Sequence, residues 1–483
     1  MRKLLRKIRR WLTKIAKEHE TMRVFIRGFM NFYRLLRYKI QTFYICTDQK
    51  TILFGSFGGE SYSDNPKAIF EYMIASGEFD DYTFVWGFKK GIRAKRRLIQ
   101  KVRSRLRPEE FAEIDKKIRE AQHQLDQNPN DEKTLGLVEK YKEQKNHIGP
   151  DVVVVKFGGK KWRKYTAKAG CWILNYKVDD YLKPKKNQVF LQTWHGTPLK
   201  RLGNDLIHFD NVLNTKEGMK KRYTTEAHKF DYFISPSPFA SEKFKSAWRM
   251  DDCGKGDIML EEGYPRNDIL FNYTDQMIEE IKIQIFGYYF IPYEKFVKKK
   301  TIILYAPTYR SNQHQTGVGY VYREEVDFDK MQAVLGEDYI ILFRAHYFIA
   351  NKFDFEKYRG FVWNVSKVND INDLYLISDL LVTDYSSSMF DYANLKRPMI
   401  YYMYDLEHYR DESNGFYFDP AQVLPGPIVK TDDELIAAIQ DVNENFEYDE
   451  KYQAFNERFD PWDDGHASER VVNEIFGKAG KNR

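Results

Sequence analysis

A chain of 483 residues and 57.6 kDa exceeds what one hydrophobic core supports, so two main domains are expected. The formal charge of +7 is uneven: residues 1–40 hold thirteen Lys/Arg against Glu18 and Glu20, a net +11, and the remaining 443 residues carry −4. Cys46, Cys171 and Cys253 show no CxxC spacing, which argues against a zinc site or disulfide framework and suits a reducing cytosol, and no apolar run approaches the ~20 residues of a transmembrane helix or forms a signal peptide.

Residues 2–17 place Leu4, Leu5, Ile8, Trp11, Leu12 and Ile15 on one helical stripe, and Lys/Arg, among them Arg6, Lys7 and Arg10, fill the other positions. That pattern predicts a helix lying in an anionic membrane surface. Val24, Phe25, Phe29, Phe32, Tyr33, Leu35 and Leu36 continue a less regular aromatic version. A helix packed on its own domain, a nucleic-acid-binding arm and a transit peptide are the alternatives; an amphipathic aromatic face suits lipid better than a phosphate backbone, so no nucleic acid partner is expected. No membrane-crossing helix is expected, so an attachment of this kind would be peripheral.

From Thr51 a βα rhythm begins. Thr51 to Gly59 reads as a strand entering a glycine turn that lacks both the Walker Lys-Ser/Thr and the GxGxxG spacing; Asn65-Pro66 opens a helix, and Thr83 to Phe88 is a second strand. Residues 89–150 are highly charged, with a break at Asn128-Pro129-Asn130, and read as an inserted hairpin of two long polar helices. The strongly basic part from Lys89 to Arg107 is also compatible with docking to a membrane or partner.

Strands follow at Asp151–Lys156, Cys171–Tyr176 and Val189–Leu191. The last runs into Gln192-Thr-Trp-His-Gly-Thr-Pro-Leu-Lys200 and sets His195 at the strand's carboxyl end, the edge where open α/β sheets bind ligands. Gly196 leaves room for close approach, and Thr197-Pro198 can cap and start a helix. Asp231–Ser235 and Asp257–Leu260 add strands, and a helical link spans about 271–299. Beyond it Thr301–Ala306 ends near Arg310, Tyr339–Phe343 ends in Arg344-Ala-His346, and Leu380–Thr383 ends in Asp384-Tyr-Ser-Ser-Ser388. Met399–Tyr402 is one more strand, and Asp432–Val442 and Ala467–Phe476 are closing helices. Strands alternating with helices imply parallel sheets.

Ser386, Ser387 and Ser388 stand between a buried strand and a helix start, where hydroxyls and free amides suit a phosphate or pyrophosphate. Arg310, Arg344 and His346 can neutralise the same anion, and Asp384 can bind a hydroxyl or cap the turn. No cluster has metal-ligand spacing, so no obligatory metal is expected, and Mg²⁺ is compatible with a pyrophosphate ligand.

Together, residues 192–205, Tyr305-Ala-Pro-Thr-Tyr-Arg310, Arg344-Ala-His346, Thr383-Asp-Tyr-Ser-Ser387 and Leu424-Pro-Gly-Pro427 resemble the CDP-glycerol glycerophosphotransferase family of teichoic acid synthesis. The chain departs from the family pattern at Asn414-Gly415, where that pattern reads Arg-Gly. The resemblance implies a GT-B-like α/β fold of two Rossmann-like domains facing a central cleft, attached to the cytoplasmic face of the cell membrane. The parts would be membrane-associating helices over 1–45, an acceptor domain over 50–270 carrying the 89–150 hairpin, a linker over 271–299 and a donor-nucleotide domain over 300–483. It further implies His195 as general base, and His346 as a second catalytic histidine that contacts the donor phosphates with the Ser386 region. Thr193, Gly196, Thr197, Lys200 and Asp205 fall on the acceptor side. The implied substrates are CDP-glycerol, or CDP-ribitol as the alternative, and a lipid-linked glycan or polyol-phosphate acceptor. A GT-B glycosyltransferase, a nucleotide-sugar epimerase and a non-catalytic polymer-binding protein are the rival classes.

Overall fold

Runs such as Asp151-Val-Val-Val-Val and Thr301-Ile-Ile-Leu-Tyr carry apolar side chains at consecutive positions, so each strand needs cover on both faces, which is what helices beside a parallel sheet supply. The computed structural model describes residues 20–129, 131–207, 216–288, 293–308, 314–315, 319–320, 326–344, 355–407, 409 and 415–477. The stripe from Leu4 through Arg6, Lys7, Arg10 and Trp11 to Ile15 lies outside them, as do Arg310, His346 and Asn414.

Seven strands make the first sheet: β1 (Asp48–Gly55), β2 (Thr83–Phe88), β3 (Asp151–Lys156), β4 (Ala169–Leu174), β5 (Val189–Gln192), β6 (Tyr232–Ser235) and β7 (Met259–Glu261). Their order is β3-β2-β1-β4-β5-β6-β7, with parallel pairing from β3 across to β6. Phe54 stacks on Trp86 at 5.6 Å, and Gly87 is backed so closely by Trp162 that a Cβ there would lie 2.4 Å from the ring. Helix Lys160–Lys168, which carries Trp162, is thereby seated against the sheet.

Where the sequence suggests two helices over 89–150, there are three: Ile92–Leu106, Pro108–Gln127 and Glu132–Asn146. The second and third pack against each other as the hairpin. Asp131 caps the third, its carboxylate accepting from the amides of Lys133 and Thr134, and Lys145 pairs with Asp115 across the two.

The second sheet is built from β8 (Thr301–Ala306), then, after a short antiparallel pair β9 (His314–Gln315) and β10 (Gly319–Tyr320), from β11 (Tyr339–Phe343), β12 (Val362–Asn364), β13 (Leu380–Thr383), β14 (Met399–Tyr402) and β15 (Ile428–Val429). Its order is β12-β11-β8-β13-β14-β15, parallel throughout. Alternation splits the strand residues between two cores: Ile302, Leu304, Leu342 and Leu381 on one face, Ile303, Tyr305, Ile341 and Val382 on the other. Each fully buried aliphatic side chain here contributes roughly 1.5–3 kcal/mol. Helix Asp432–Asn445 starts from a capping box of Thr431 and Glu434, and helices Glu450–Phe459 and Ala467–Phe476 close the chain. Gly426, in the Leu424–Pro427 motif, meets the start of β14 so tightly that a Cβ would stand 1.8 Å from the Met399 carbonyl oxygen. That glycine serves packing.

The chain divides into two compact units, Met1–Ser61, Ile69–Thr193 and Asn211–Phe233 in one, Tyr62–Ala68, Trp194–Asp210 and Ile234–Arg483 in the other. Residues 194–207 of the loop after β5 therefore belong to the second unit.

Candidate active site

β5 hands its last amide contact to Thr193, whose N–H donates to the Leu174 carbonyl at 2.9 Å. The chain then turns through Trp194, which sits at φ 47°, a left-handed conformation that costs a non-glycine residue on the order of 1–2 kcal/mol. The indole is wedged in place: it stands edge-on to Trp248 at 4.7 Å and 87°, and to Phe244 at 6.2 Å. Aromatic pairs of this geometry contribute ~0.5–1.5 kcal/mol each beyond their buried area, enough to offset the strain. The other side of the indole lies against the His195 imidazole at 4.2 Å and 31°, and His195 itself is exposed.

Gly196 is buried beside the serine run: a Cβ on it would lie 2.5 Å from the Ser387 Oγ and 3.0 Å from its Cβ. The absence of a side chain at 196 thus brings the histidine loop onto Ser387. The Ser388 hydroxyl donates to Ser386 Oγ at 2.9 Å, and its amide points to the same oxygen at 3.2 Å. Ser386 and Ser387 remain half-exposed.

No helix starts at Pro198, contrary to the expectation from Thr197-Pro198; only a short 3-10 turn, Gly203–Asp205, appears in residues 195–207. The Tyr417 and Arg201 amides pair with the carbonyls of Leu199 and Gly415, at 3.0 and 3.1 Å, and Lys200 bridges Phe416 antiparallel. A backbone ladder satisfies these groups, so a helix cap has nothing to add. Thr197 is buried, near the Tyr264 hydroxyl that burial holds well above its ordinary range. The Lys200 ammonium sits 5.1 Å over Tyr409, which stacks on Tyr385 at 3.9 Å. Asp205 accepts from the Tyr417 hydroxyl at 2.6 Å and from Ser246 at 2.5 Å, and it closes the loop.

Asp384 spends its carboxylate on backbone, accepting from the Thr308 amide at 2.9 Å and the Tyr385 amide at 2.6 Å, and so ties the end of β8 to the serine turn. Arg344 donates from Nη1 to the Val368 carbonyl at 2.9 Å. The structure thus brings together His195, Gly196, Lys200 and Ser386–Ser388. Among the described residues no group of three or more His, Cys, Asp or Glu is placed to hold a metal ion.

Sequence reasoning missed the buried polar network beneath this loop. Arg266 donates to Asp391 at 2.7 Å and reaches Asp64 at 3.4 Å; its amide donates to the Asn65 side chain at 3.0 Å. Asn267 donates to Asp391 at 3.1 Å and to Asp463 at 2.6 Å. The Tyr264 amide and the Asn394 side chain also donate to Asp463. The only signal was Pro265-Arg-Asn-Asp268 directly after the short strand β7, a polar run with no apolar period to explain it.

The sequence profile of the CDP-glycerol:poly(glycerophosphate) glycerophosphotransferases matches residues 36–116 and 110–477. The chain belongs to this family. It is 33% identical to the teichoic acid poly(glycerol phosphate) polymerase of Bacillus spizizenii, over 89% of this chain and 93% of that protein. With the teichoic acid glycerol-phosphate transferase of Staphylococcus aureus it shares 35% identity, over 89% and 93% of the two chains. It also spans about half the length of two further polymerases of the family, those of Staphylococcus epidermidis and Bacillus subtilis, at 34% identity to each. The solved structure of the wall teichoic acid polymerase TagF superposes with a TM-score of 0.72 at 31% identity, over 95% of this chain and 98% of that one. As the family resemblance implied, the fold is GT-B-like, with two parallel α/β sheets.

Proposed function

We propose that this protein transfers glycerol phosphate from CDP-glycerol to a terminal hydroxyl of a lipid-linked acceptor in teichoic acid synthesis, releasing CMP. The observation that carries the reading is the placement of an exposed imidazole, His195, on a loop that meets the hydroxyl run Ser386–Ser388 through Gly196. His195 takes the proton of the acceptor hydroxyl; the oxygen attacks the donor's β-phosphorus, the bond to the α-phosphate oxygen breaks, and CMP leaves with the electron pair. A general base of this kind supplies ~10²- to 10⁴-fold, and positioning and charge neutralisation supply the rest. Ser386 and Ser387 hold the pyrophosphate, with Arg344, Arg310 and His346 as further anion contacts and Lys200 beside the acceptor. Mg²⁺, where it takes part, rides on the donor.

Glycerol rather than ribitol is favoured because the glycerol-phosphate relatives align over 88–89% of the chain, whereas the ribitol-phosphate polymerases align over 62%. The test is CMP release and product analysis with purified protein, a defined lipid-linked acceptor and CDP-glycerol, CDP-ribitol or a UDP-sugar in turn. Turnover of the UDP-sugar alone would replace this reading by a glycosyltransferase. In the same assay, Ser386→Ala with Ser387→Ala should weaken CDP-glycerol about tenfold or more while leaving cytidine affinity nearly unchanged, since only the former carries the pyrophosphate. Equal losses for both ligands would remove the serines from the phosphate site.

The attachment proposed is peripheral, at an anionic membrane surface on the cytoplasmic side. No helix among the described residues is long and apolar enough to cross a membrane. Helix Glu20–Thr42 exposes Phe29, Phe32, Tyr33, Leu36 and Ile40 among Arg34, Arg37 and Lys39, with Phe43 92% exposed just beyond it. Removing residues 1–45 should abolish sedimentation with anionic vesicles at low salt, and added salt should weaken the intact protein's binding. Full retention by the shortened protein would end this part of the proposal.

A further inference from the structure

Helix Ile92–Leu106 contains seven Lys/Arg and no acidic residue. Its buried side is Ile99, Val102 and Arg103, with Arg103 donating to the Asn146 carbonyl at 3.3 Å and to the Ile148 carbonyl. Arg105 pairs with Glu71 at 3.2 Å, Arg96 donates to the Val154 carbonyl and Lys95 lies over Phe88. Arg93, Arg97 and Lys101 remain: all three are exposed, and no acidic side chain among the described residues pairs with them. They stand at i, i+4 and i+8, one exposed row on the helix.

Like charges at this spacing repel by a few tenths of a kcal/mol per pair, and the next helix shows the usual remedy, Lys117 paired with Glu113 at 2.6 Å. The row in helix Ile92–Leu106 has no such remedy among the described residues, which leaves its charge open to an anion from outside. Its apolar content is low, with Leu98 beside it about one-third exposed, so it lacks what a lipid-inserting face needs. Four residues advance a helix by ~6 Å. A glycerol phosphate repeat joins successive phosphorus atoms through six backbone bonds, and as three extended bonds span ~3.5 Å, the repeat is ~7 Å. The cations therefore recur at nearly the interval of the phosphates.

We propose that Arg93, Arg97 and Lys101 form a docking row for a linear polyol-phosphate chain, the polyanion that the proposed reaction lengthens, and so keep the product associated between additions. This rests on the function proposed above for the choice of polyanion. The test measures binding of purified poly(glycerol phosphate), at two salt concentrations, to the full chain and to a variant carrying Arg93→Gln, Arg97→Gln and Lys101→Gln. A control variant carries Lys133→Gln, Lys140→Gln and Lys142→Gln on helix Glu132–Asn146 and loses the same net charge. The first variant should bind the polymer about tenfold more weakly, the expected loss of three exposed ion contacts, with a shallower salt dependence; the control should bind like wild type. CMP release with a one-unit acceptor should stay unchanged and products from extended reactions should shorten. Equal polymer affinity in wild type and first variant, equal losses in both variants, or a loss confined to anionic vesicles would each overturn the proposal. Absence of CMP release by wild type would instead refute the proposed activity, and the binding measurement would still decide the row.

Discussion

His195→Ala should turn over at least ~10²-fold more slowly than wild type at saturating substrates, while CDP-glycerol affinity stays within about twofold. The side chain is exposed and lies on Trp194, so its removal empties no core and costs the fold little. Its assigned partner is the acceptor hydroxyl, and the donor contacts are assigned elsewhere, to Ser386 and Ser387. Turnover and donor affinity should therefore separate in this variant and fall together in the serine variants. Single-turnover rates with a donor titration decide the matter. More than a tenth of wild-type activity in His195→Ala would show that another group takes the proton.

Arg266→Met should destabilise the second unit by about 3–5 kcal/mol, the usual cost of leaving a buried carboxylate without its cation. Arg266 is buried between Asp64 and Asp391, and its guanidinium also lies 4.3 Å over the Tyr264 ring, so water has little access to take its place. A double variant with Asp391→Leu should recover part of the loss, since it removes the stranded charge. Urea unfolding of the three proteins measures this, and a loss under about 1 kcal/mol in the single variant would contradict the network's importance. The pH dependence has a definite sign. Burial pushes the Asp463 carboxyl up to about 7 and also raises Asp391. Carboxyls whose folded values exceed the unfolded ~3.9 bind more protons in the native state, so they lower stability as pH rises; for Asp463 that loss runs from about 4 to about 7 and then ends, and Asp391 adds a loss of the same sign. Without the Arg266 charge, which pulls Asp391 down, the decline should reach higher pH in Arg266→Met.

The strands that flank the site were legible because a parallel sheet demands consecutive apolar residues, and Val189–Leu191, Thr301–Ala306 and Leu380–Thr383 have them. Their carboxyl ends then located His195, Arg344 and Ser386–Ser388. A three-residue strand such as β12 is too short to carry a period, and helix Glu450–Phe459 is mostly polar along its length. The Thr197-Pro198 start signal was locally correct and lost to partners 215 residues away, since Phe416 and Tyr417 supply the backbone and hydroxyl groups that Arg201 and Leu202 use. The Arg266 network was invisible for the same reason: Asp64, Arg266, Asp391 and Asp463 come from four distant stretches, and no local spacing links them. At Asp384 the sequence left a hydroxyl contact and a cap both open, and in the structure backbone amides donate to its oxygens.

Trp194 holds a backbone conformation that its own chemistry disfavours, and edge contacts with Trp248 and Phe244 help to keep it there. The segment bearing the imidazole is therefore wound, and its resting shape depends on two rings from helix Pro238–Trp248. Warming or crowding that loosens those rings would let residue 194 relax toward an extended geometry and swing His195 out of register while both sheets remain intact. Catalytic failure would then precede melting, and the temperature at which the protein stops working would report on a three-ring wedge instead of on the stability of its domains.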